Sequence, residues 1–304
     1  MPGAGTPPAP GFGDRLTAAV AKRESQIVLG LDPDPSRLWP DAVVGADEAA
    51  PAVLAHCRAL IDAAAPACVA AKPQLACFER LGSAGWLVLE AVCAHARRAG
   101  LLVIADGKRG DVPVTASAYA QALVGETPSP FGAVAGLGVD ALTANPLLGR
   151  DALAPLVDAA RAAGSAVFVL VRTSNPGAAD LMDLQLASGE PLWERLAALA
   201  GELGRVGAAG LADVGAVTGA TAPHHLERMR ELMPRTPFLL PGVGAQGGDV
   251  RALAPAFAPG RAAGLVTASR SIAGAHEERG DVPGEAARAE AERLRELAWA
   301  LGSP

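Results

Sequence analysis

The residues best suited to chemistry form one dense charged stretch at positions 106–111, with the sequence Asp-Gly-Lys-Arg-Gly-Asp. This stretch directly follows the apolar run at 101–105, which is typical of a strand. Because side chains alternate along a strand, Asp106 and Lys108 are expected to project to the same side. The Arg-Gly pair that follows is expected to break the strand and to place Asp111 on a loop. Two carboxylates around an ammonium hold that lysine charged and oriented, which predicts a catalytic centre.

Lysine is rare in this chain, and its positions support the same interpretation. Only Lys22, Lys72 and Lys108 occur among 26 basic residues, and the last two stand at or near the ends of predicted strands. A compact ammonium can give up its proton, whereas arginine stays protonated in proteins. We therefore predict that Lys72 and Lys108 act catalytically together with Asp106 and Asp111.

The elements that must position these residues alternate regularly along the 304-residue chain. Predicted strands are 26–31, 68–72, 101–106, 141–143, 166–172, 210–214, 237–240 and 264–268. Predicted helices are 47–64, 83–99, 114–124, 150–163, 191–206, 224–232, 249–257 and 284–300. Eight strands, each followed by a helix, predict a (β/α)8 TIM barrel, which usually has about 250 residues. A doubly wound open sheet is the alternative that the pattern alone leaves open.

No domain boundary is evident, so one barrel domain is expected over 1–304. Residues 1–13 are rich in proline and glycine and are expected to form a flexible N-terminal extension. Residues 127–138, also rich in these two residues, are expected to be a loop insertion before the fourth strand.

Charge and composition exclude several kinds of partner. A net charge of −6 provides no basic excess for general nucleic-acid binding. The longest uncharged stretch, 112–125, is too short to span a bilayer, and the first residues do not form a signal peptide. The four cysteines form no C-x-x-C pair and no zinc-like spacing with the five histidines. These features predict a cytoplasmic protein that contains no metal.

The carboxyl ends of barrel strands form the active-site face, so residues at those ends are candidates for ligand binding. Residues 242–247 read Gly-x-Gly-x-x-Gly, which is also the pattern of a dinucleotide fingerprint. No acidic residue ends the next strand to hold a ribose diol, and Arg270 stands there instead. Backbone N–H groups freed by glycine, together with an arginine, suit a single phosphate.

As a set, these strand ends resemble the orotidine 5'-phosphate decarboxylase family, in particular its longer bacterial branch. The resemblance covers nearly the whole chain after the first dozen residues. The matching motifs lie at 30–34, 72–74 with 78–79, 106–111, 145–146 with 148–149, 173–177, 217–221, 241–248 and 269–272. It implies a barrel homodimer that uses no cofactor and converts orotidine 5'-phosphate to uridine 5'-phosphate in pyrimidine biosynthesis.

The resemblance also implies roles for individual residues. Lys72, Asp106, Lys108 and Asp111 would form an alternating charged network in which Lys108 protonates C6 as carbon dioxide leaves. Asp111 and Thr115 would reach across the dimer interface into the neighbouring site. The residues that would bind substrate are Asp32 (with Lys72, the ribose hydroxyls), Ser174 (the pyrimidine edge), Gln246 and Arg270 (the phosphate), and the strand-end residues Pro241, Gly242 and Ser269.

The chain departs from the usual family pattern at Gly107, Val114 and Leu147. We expect Gly107 to loosen the positioning of Lys108 and to slow turnover without abolishing it. Three other functions remain open. They are a metal-dependent sugar-phosphate decarboxylase or aldolase of the same barrel lineage, an oxidoreductase that binds a dinucleotide at 242–247, and a non-catalytic phosphosugar-binding barrel.

Overall fold

Eight runs of mainly aliphatic residues form parallel strands that close into a barrel in the computed structural model, which describes residues 10–244 and 247–302. The strands are β1 (Ile27–Leu31), β2 (Ala70–Pro73), β3 (Leu102–Arg109), β4 (Glu126–Thr127), β5 (Val134–Ala135), β6 (Ala141–Ala144), β7 (Ala166–Arg172), β8 (Val214–Thr218), β9 (Phe238–Leu240) and β10 (Gly264–Ala268). The barrel order is β1-β10-β9-β8-β7-β6-β3-β2, while β4 and β5 form a separate antiparallel pair. The predicted (β/α)8 barrel is confirmed.

Helices cover the outside of the barrel. They are α1 (Phe12–Arg23), α2 (Pro40–Val43), α3 (Ala49–Ala64), α4 (Leu75–Glu79), α5 (Gly82–Arg98), α6 (Pro113–Leu123), α7 (Arg150–Ala162), α8 (Ala178–Met182), α9 (Leu192–Leu203), α10 (Leu226–Leu232), α11 (Arg270–Ala273), α12 (Ala275–Arg279) and α13 (Pro283–Trp299). Short 3-10 helices lie at Ala65–Ala67, Pro223–His225, Val250–Phe257 and Arg261–Ala263. Over residues 10–244 and 247–302, no helix is both long and apolar enough to cross a membrane.

The sixth barrel strand was predicted wrongly at 210–214, since β8 runs from Val214 to Thr218. Gly215 interrupts the run of apolar side chains that would predict a strand at 214–218. A glycine is nevertheless needed there, because no side chain would fit. A Cβ atom at position 215 would lie 2.3 Å from the ring of Phe168 on β7. The helix predicted at 249–257 is present, but over Val250–Phe257 it is a 3-10 helix that contains Pro255.

The sequence interpretation missed helix α1, which begins at Phe12 and so overlaps the extension expected at 1–13. Phe12, Leu16 and Val20 recur every four residues on one face and are buried. They share a core cluster with residues at or just before the starts of strands, such as Val69 and Ala141, and the Phe12 ring lies edge-on to Phe168 with centroids 5.9 Å apart. Helix α1 thus closes the amino-terminal end of the barrel, and the opposite end remains open for a site.

The 127–138 segment contains the end of β4 and all of β5. Strands β4 and β5 pair through Glu126 with Ala135 and Thr127 with Val134. The tip of this hairpin carries Phe131, whose side chain is fully exposed.

We expect Phe12→Ala to lower the free energy of unfolding by about 3–4 kcal/mol, because it removes a buried aromatic ring and leaves a cavity. Urea denaturation followed by circular dichroism measures the change. Phe131→Ala deletes the same ring from an exposed site and is expected to change stability by less than about 0.5 kcal/mol. A Phe12→Ala variant as stable as the Phe131→Ala variant would show that α1 does not close the barrel.

Candidate active site

A cavity of about 350 Å³ opens at the carboxyl ends of the barrel strands. This is the end at which barrels of this architecture place their active sites. Charged and hydroxyl side chains line it, and six of them come from the ends of β1, β2, β3 and β10, namely Asp32, Lys72, Asp106, Lys108, Ser269 and Arg270. The barrel therefore brings together residues that lie up to 238 positions apart in the sequence (270 − 32).

Asp106 is the centre of the charged cluster. One carboxylate oxygen, Oδ2, lies 2.5 Å from Nζ of Lys72 and accepts a longer hydrogen bond of 3.4 Å from Nε2 of Gln74. The other oxygen, Oδ1, lies 2.7 Å from Nζ of Lys108 and accepts a hydrogen bond of 2.9 Å from the hydroxyl of Thr143. Four donors on three neighbouring strands and one loop thus fix this single carboxylate.

Burial and charge act against each other on Asp106, and charge prevails. Removal from water would raise the pKa of this carboxyl, but the ammonium groups of Lys72 and Lys108 and their hydrogen bonds lower the pKa to about 2. Burial would likewise lower the pKa of Lys72, yet the carboxylates of Asp106 and Asp32 raise it. Asp106 is therefore an anion and Lys72 a cation at neutral pH.

The two lysines differ in access to the cavity. Only 6% of the Lys72 side chain is exposed, compared with 42% of the Lys108 side chain. Lys72 is thus a fixed charge packed under the site, whereas Lys108 reaches into the space that a ligand would fill. This difference suits Lys108 for proton donation and Lys72 for electrostatic support.

The backbone at Lys108 leaves the regular strand conformation, with a positive φ of 48°. The pairing of β3 with β6 shifts register between Ala105 and Arg109, so the charged segment bulges from the strand. Gly107 lies against Leu75, and a Cβ atom at position 107 would come within 2.7 Å of that side chain. Close packing therefore surrounds the glycine that was expected to loosen Lys108.

Asp32 joins the cluster from the other side of the cavity. The hydroxyl of Ser269 donates a hydrogen bond of 2.7 Å to Oδ2 of Asp32, linking the ends of β1 and β10. Gly30 permits this approach, because a Cβ atom there would lie 2.6 Å from Cβ of Ser269. The exposed Arg270 follows directly as the first residue of α11.

The remaining predicted ligand residues divide into two groups. Ser174, Pro241 and Gly242 line the same cavity as Arg270. Gln246 lies outside the described residues. Gly242 has a positive φ of 102°, which lets the chain turn sharply at the end of β9.

Asp111 and Thr115 do not line the cavity of their own chain. Asp111 is partly exposed on the loop after β3, where its Oδ1 accepts a hydrogen bond from the backbone N–H of Val112. Thr115 is exposed on α6. The structure thus brings Lys72, Asp106 and Lys108 together, but Asp111, the fourth residue of the predicted network, lies outside the cavity of its own chain.

Exposed apolar residues cluster in sequence around Asp111. Val112 is 54% exposed and Val114 84%, while Leu147 and Leu148 in the next βα loop are 54% and 46% exposed. Two of the three departures from the family pattern, Val114 and Leu147, are therefore surface residues, and neither lines the cavity.

Sequence reasoning assigned no role to Thr143, Gln74 or Thr267, which also line the cavity. Thr143 stood at the end of a predicted strand, so the rule that functional residues gather at carboxyl strand ends pointed to it. Gln74 follows Lys72 by two residues, which was a similar signal. Within the described residues, no group of three or more His, Cys, Asp or Glu side chains is arranged to hold a metal ion.

Fold and site together define an enzyme barrel with a lysine–aspartate–lysine centre at the carboxyl ends of its strands. Residues 25–283 match the profile of the orotidine 5'-phosphate decarboxylase / HUMPS family. The chain belongs to this family.

Relatives and solved structures agree with this assignment. The chain is 45% identical to the orotidine 5'-phosphate decarboxylase of Haloarcula marismortui, over 88% of each chain. It is 43% identical to that of Deinococcus radiodurans, over 86% of this chain and 89% of the other. The structure of Leishmania donovani OMP decarboxylase superposes with a TM-score of 0.72 at 32% identity, covering 95% of this chain and 99% of that one. Leishmania donovani UMP synthase gives a TM-score of 0.74 at 34% identity, and this chain spans 57% of it.

The ionised Asp106 carboxylate is expected to make stability depend on pH. Its pKa is about 2 in the folded chain and 3.8 by the ordinary reference value. A carboxyl pKa lowered by folding stabilises the folded state above the unfolded pKa, and this contribution disappears as the pH falls through the folded value. Because one pKa unit corresponds to about 1.4 kcal/mol, the unfolding free energy of the parent should fall by about 1 kcal/mol more than that of Asp106→Asn between pH 5 and pH 3.

Urea denaturation at a series of pH values measures this difference. Asp41→Asn, at an exposed position outside the cavity, is the control for a change of one carboxylate. If the curves of the parent and Asp106→Asn run parallel between pH 5 and pH 3, the two lysines do not hold Asp106 ionised.

Proposed function

We propose that this chain decarboxylates orotidine 5'-phosphate to uridine 5'-phosphate in pyrimidine biosynthesis, without a metal or cofactor. The observation that carries the proposal is the sharing of Asp106 by Lys72 and Lys108 within a cavity that Arg270 also lines. The names and identities of the relatives support the same reaction.

Lys108 is the proposed proton donor. Loss of carbon dioxide leaves a carbanion at C6 with no π system to delocalise its charge, and transfer of a proton from Nζ of Lys108 to C6 completes the reaction. An ammonium about 4 Å from that charge contributes about 4 kcal/mol at an effective dielectric near 20. This amounts to about a thousandfold in rate, which is far less than such a barrier requires.

The rest of the rate enhancement has two proposed sources. The fixed Lys72–Asp106–Lys108 cluster is oriented before substrate arrives, so it needs no reorganisation as charge develops. Binding energy from distant parts of the nucleotide can position the reacting base, with Asp106 facing the departing carboxylate.

Contacts to the nucleotide are proposed for residues on several strand ends. Asp32 and Lys72 hold the ribose hydroxyls, and Ser174 holds the pyrimidine edge. Arg270 and Gln246 bind the phosphate, with backbone groups at Pro241 and Gly242 nearby and Ser269 orienting Asp32. All of these residues except Gln246 line one cavity, which supports the proposed contacts. Gln246 lies outside the described part of the chain.

A homodimer is proposed to complete each site. Asp111 and Thr115 lie outside the cavity of their own chain, among the exposed apolar residues Val112 and Val114. Paired copies would bury this surface and bring the carboxylate of Asp111 to the neighbouring Lys108. A cytoplasmic location is proposed with it, since all four cysteines are free thiols.

The decisive assay follows the absorbance of orotidine 5'-phosphate with the purified chain, with and without a metal chelator. Equal turnover in both conditions is expected, with uridine 5'-phosphate as the product. Activity that disappears in chelator and returns with magnesium would instead favour a metal-dependent sugar-phosphate enzyme of the same lineage. Absence of turnover in both conditions would contradict the proposal.

Lys108→Ala should lower kcat by at least about a thousandfold, because it removes both the proton donor and a positive charge. Binding of uridine 5'-phosphate, measured by calorimetry, should remain detectable. Lys22→Ala is the matched control, since Lys22 is exposed on α1 at the opposite end of the barrel. A Lys108→Ala variant with the kcat of the parent would remove the assigned role.

Mixing two inactive variants tests the shared site. In a dimer of Lys108→Ala with Asp111→Asn, one site keeps both Lys108 and Asp111, so subunit exchange should restore about a quarter of the parental activity. Each variant treated alone in the same way is the control. A mixture that remains inactive after exchange has been verified would mean that Asp111 does not serve the neighbouring site.

A further inference from the structure

We infer that Thr143 is a positioning residue that sets both the backbone and the ammonium group of Lys108, an inference that rests on the proposed function. Thr143 lies on β6 beside the charged cluster and is 1% exposed. Its hydroxyl donates to Oδ1 of Asp106 at 2.9 Å and accepts from the backbone N–H of Lys108 at 2.8 Å.

The strand pairing explains why one hydroxyl can serve both purposes. Ala105 pairs with Leu142 and Arg109 pairs with Ala144, so Asp106, Gly107 and Lys108 all lie opposite Thr143. A regular ladder would place one residue there. The bulge removes the ordinary strand partner of the Lys108 N–H, and the Thr143 hydroxyl takes its place.

This replacement supports an unfavourable backbone conformation. A non-glycine residue with positive φ is strained and persists only where its surroundings enforce it. At Lys108, φ is 48°. The hydrogen bond from the Lys108 N–H to Thr143 is one of the contacts that hold this conformation, which determines where the lysine side chain begins.

The second hydrogen bond of Thr143 acts at the other end of the same side chain. Asp106 Oδ1 accepts from both the Thr143 hydroxyl and Nζ of Lys108. Because a hydroxyl has a single proton to donate, its direction is fixed by the carboxylate. Thr143 therefore positions the backbone of Lys108 directly, and it positions the ammonium group of Lys108 through Asp106.

The comparison of Thr143→Val with Thr143→Ser isolates the hydroxyl. Valine keeps the branched shape and loses both hydrogen bonds, whereas serine keeps the hydroxyl and loses one methyl group. A small misplacement of a reacting group can cost about a hundredfold in rate. We expect Thr143→Val to lower kcat for orotidine 5'-phosphate by 10- to 100-fold, while KM changes by less than about threefold and Thr143→Ser stays within about threefold of the parent.

Thr218 provides the matched control. It is a fully buried threonine at the end of β8, and its hydroxyl has no hydrogen-bond partner among the described residues. Thr218→Val makes the same chemical change without touching Lys108 or Asp106, so kcat should stay near that of the parent.

Several outcomes would overturn the inference. A Thr143→Val variant with the kcat of the parent would overturn it. A Thr143→Ser variant as slow as Thr143→Val would also overturn it, because the loss of rate would then come from lost packing. If Thr143→Val does not fold by circular dichroism, Thr143→Ala replaces it, and equal rates for Ala and Ser variants overturn the inference. If the parent shows no turnover, the proposed function itself is wrong. If the parent is active and Thr143→Val is unimpaired, only the role of Thr143 is wrong.

Discussion

The site depends on one buried carboxylate that is shared by two ammonium groups. Asp106 lies almost entirely out of water, a position that an isolated anion would avoid, and the charges of Lys72 and Lys108 hold its pKa at about 2. The dependence is mutual, because Lys72 is also buried and the carboxylates of Asp106 and Asp32 raise its pKa against the effect of burial. Removing Asp106 would leave the buried Lys72 ammonium without its hydrogen-bonded carboxylate. Hydrogen bonds from Lys72, Lys108 and Thr143 fix Asp106 before any ligand arrives.

The barrel supplies this rigidity by its connectivity. Strands β2, β3 and β6 are neighbours in the sheet, and they contribute Lys72, Asp106 with Lys108, and Thr143. The bulge in β3 turns Lys108 toward the cavity, while α1 closes the far end of the barrel. On another side of the cavity, the ends of β1 and β10 are linked by the hydrogen bond from Ser269 to Asp32. The residues that line the cavity therefore come from different strands of a single closed sheet.

Much of this arrangement could be predicted from the sequence. Alternating apolar runs predicted the barrel, and the scarcity of lysine directed attention to Lys72 and Lys108. The failures have physical causes. Gly215 resembles a strand breaker until the Phe168 ring is seen to need its space, and the face of α1 has no partner until the barrel closes. Thr143 escaped notice because its importance comes from a register shift, which depends on how two distant segments pair.

A crystal structure with uridine 5'-phosphate bound would test most directly whether Asp106 aims Lys108 at the reacting carbon. We predict that Nζ of Lys108 lies about 3.5 Å from C6 of the base, within the range for reacting atoms, while Oδ1 of Asp106 still holds that ammonium. A bound nucleotide whose C6 lies far from Lys108, or a Lys108 side chain released from Asp106 into solvent, would contradict the account.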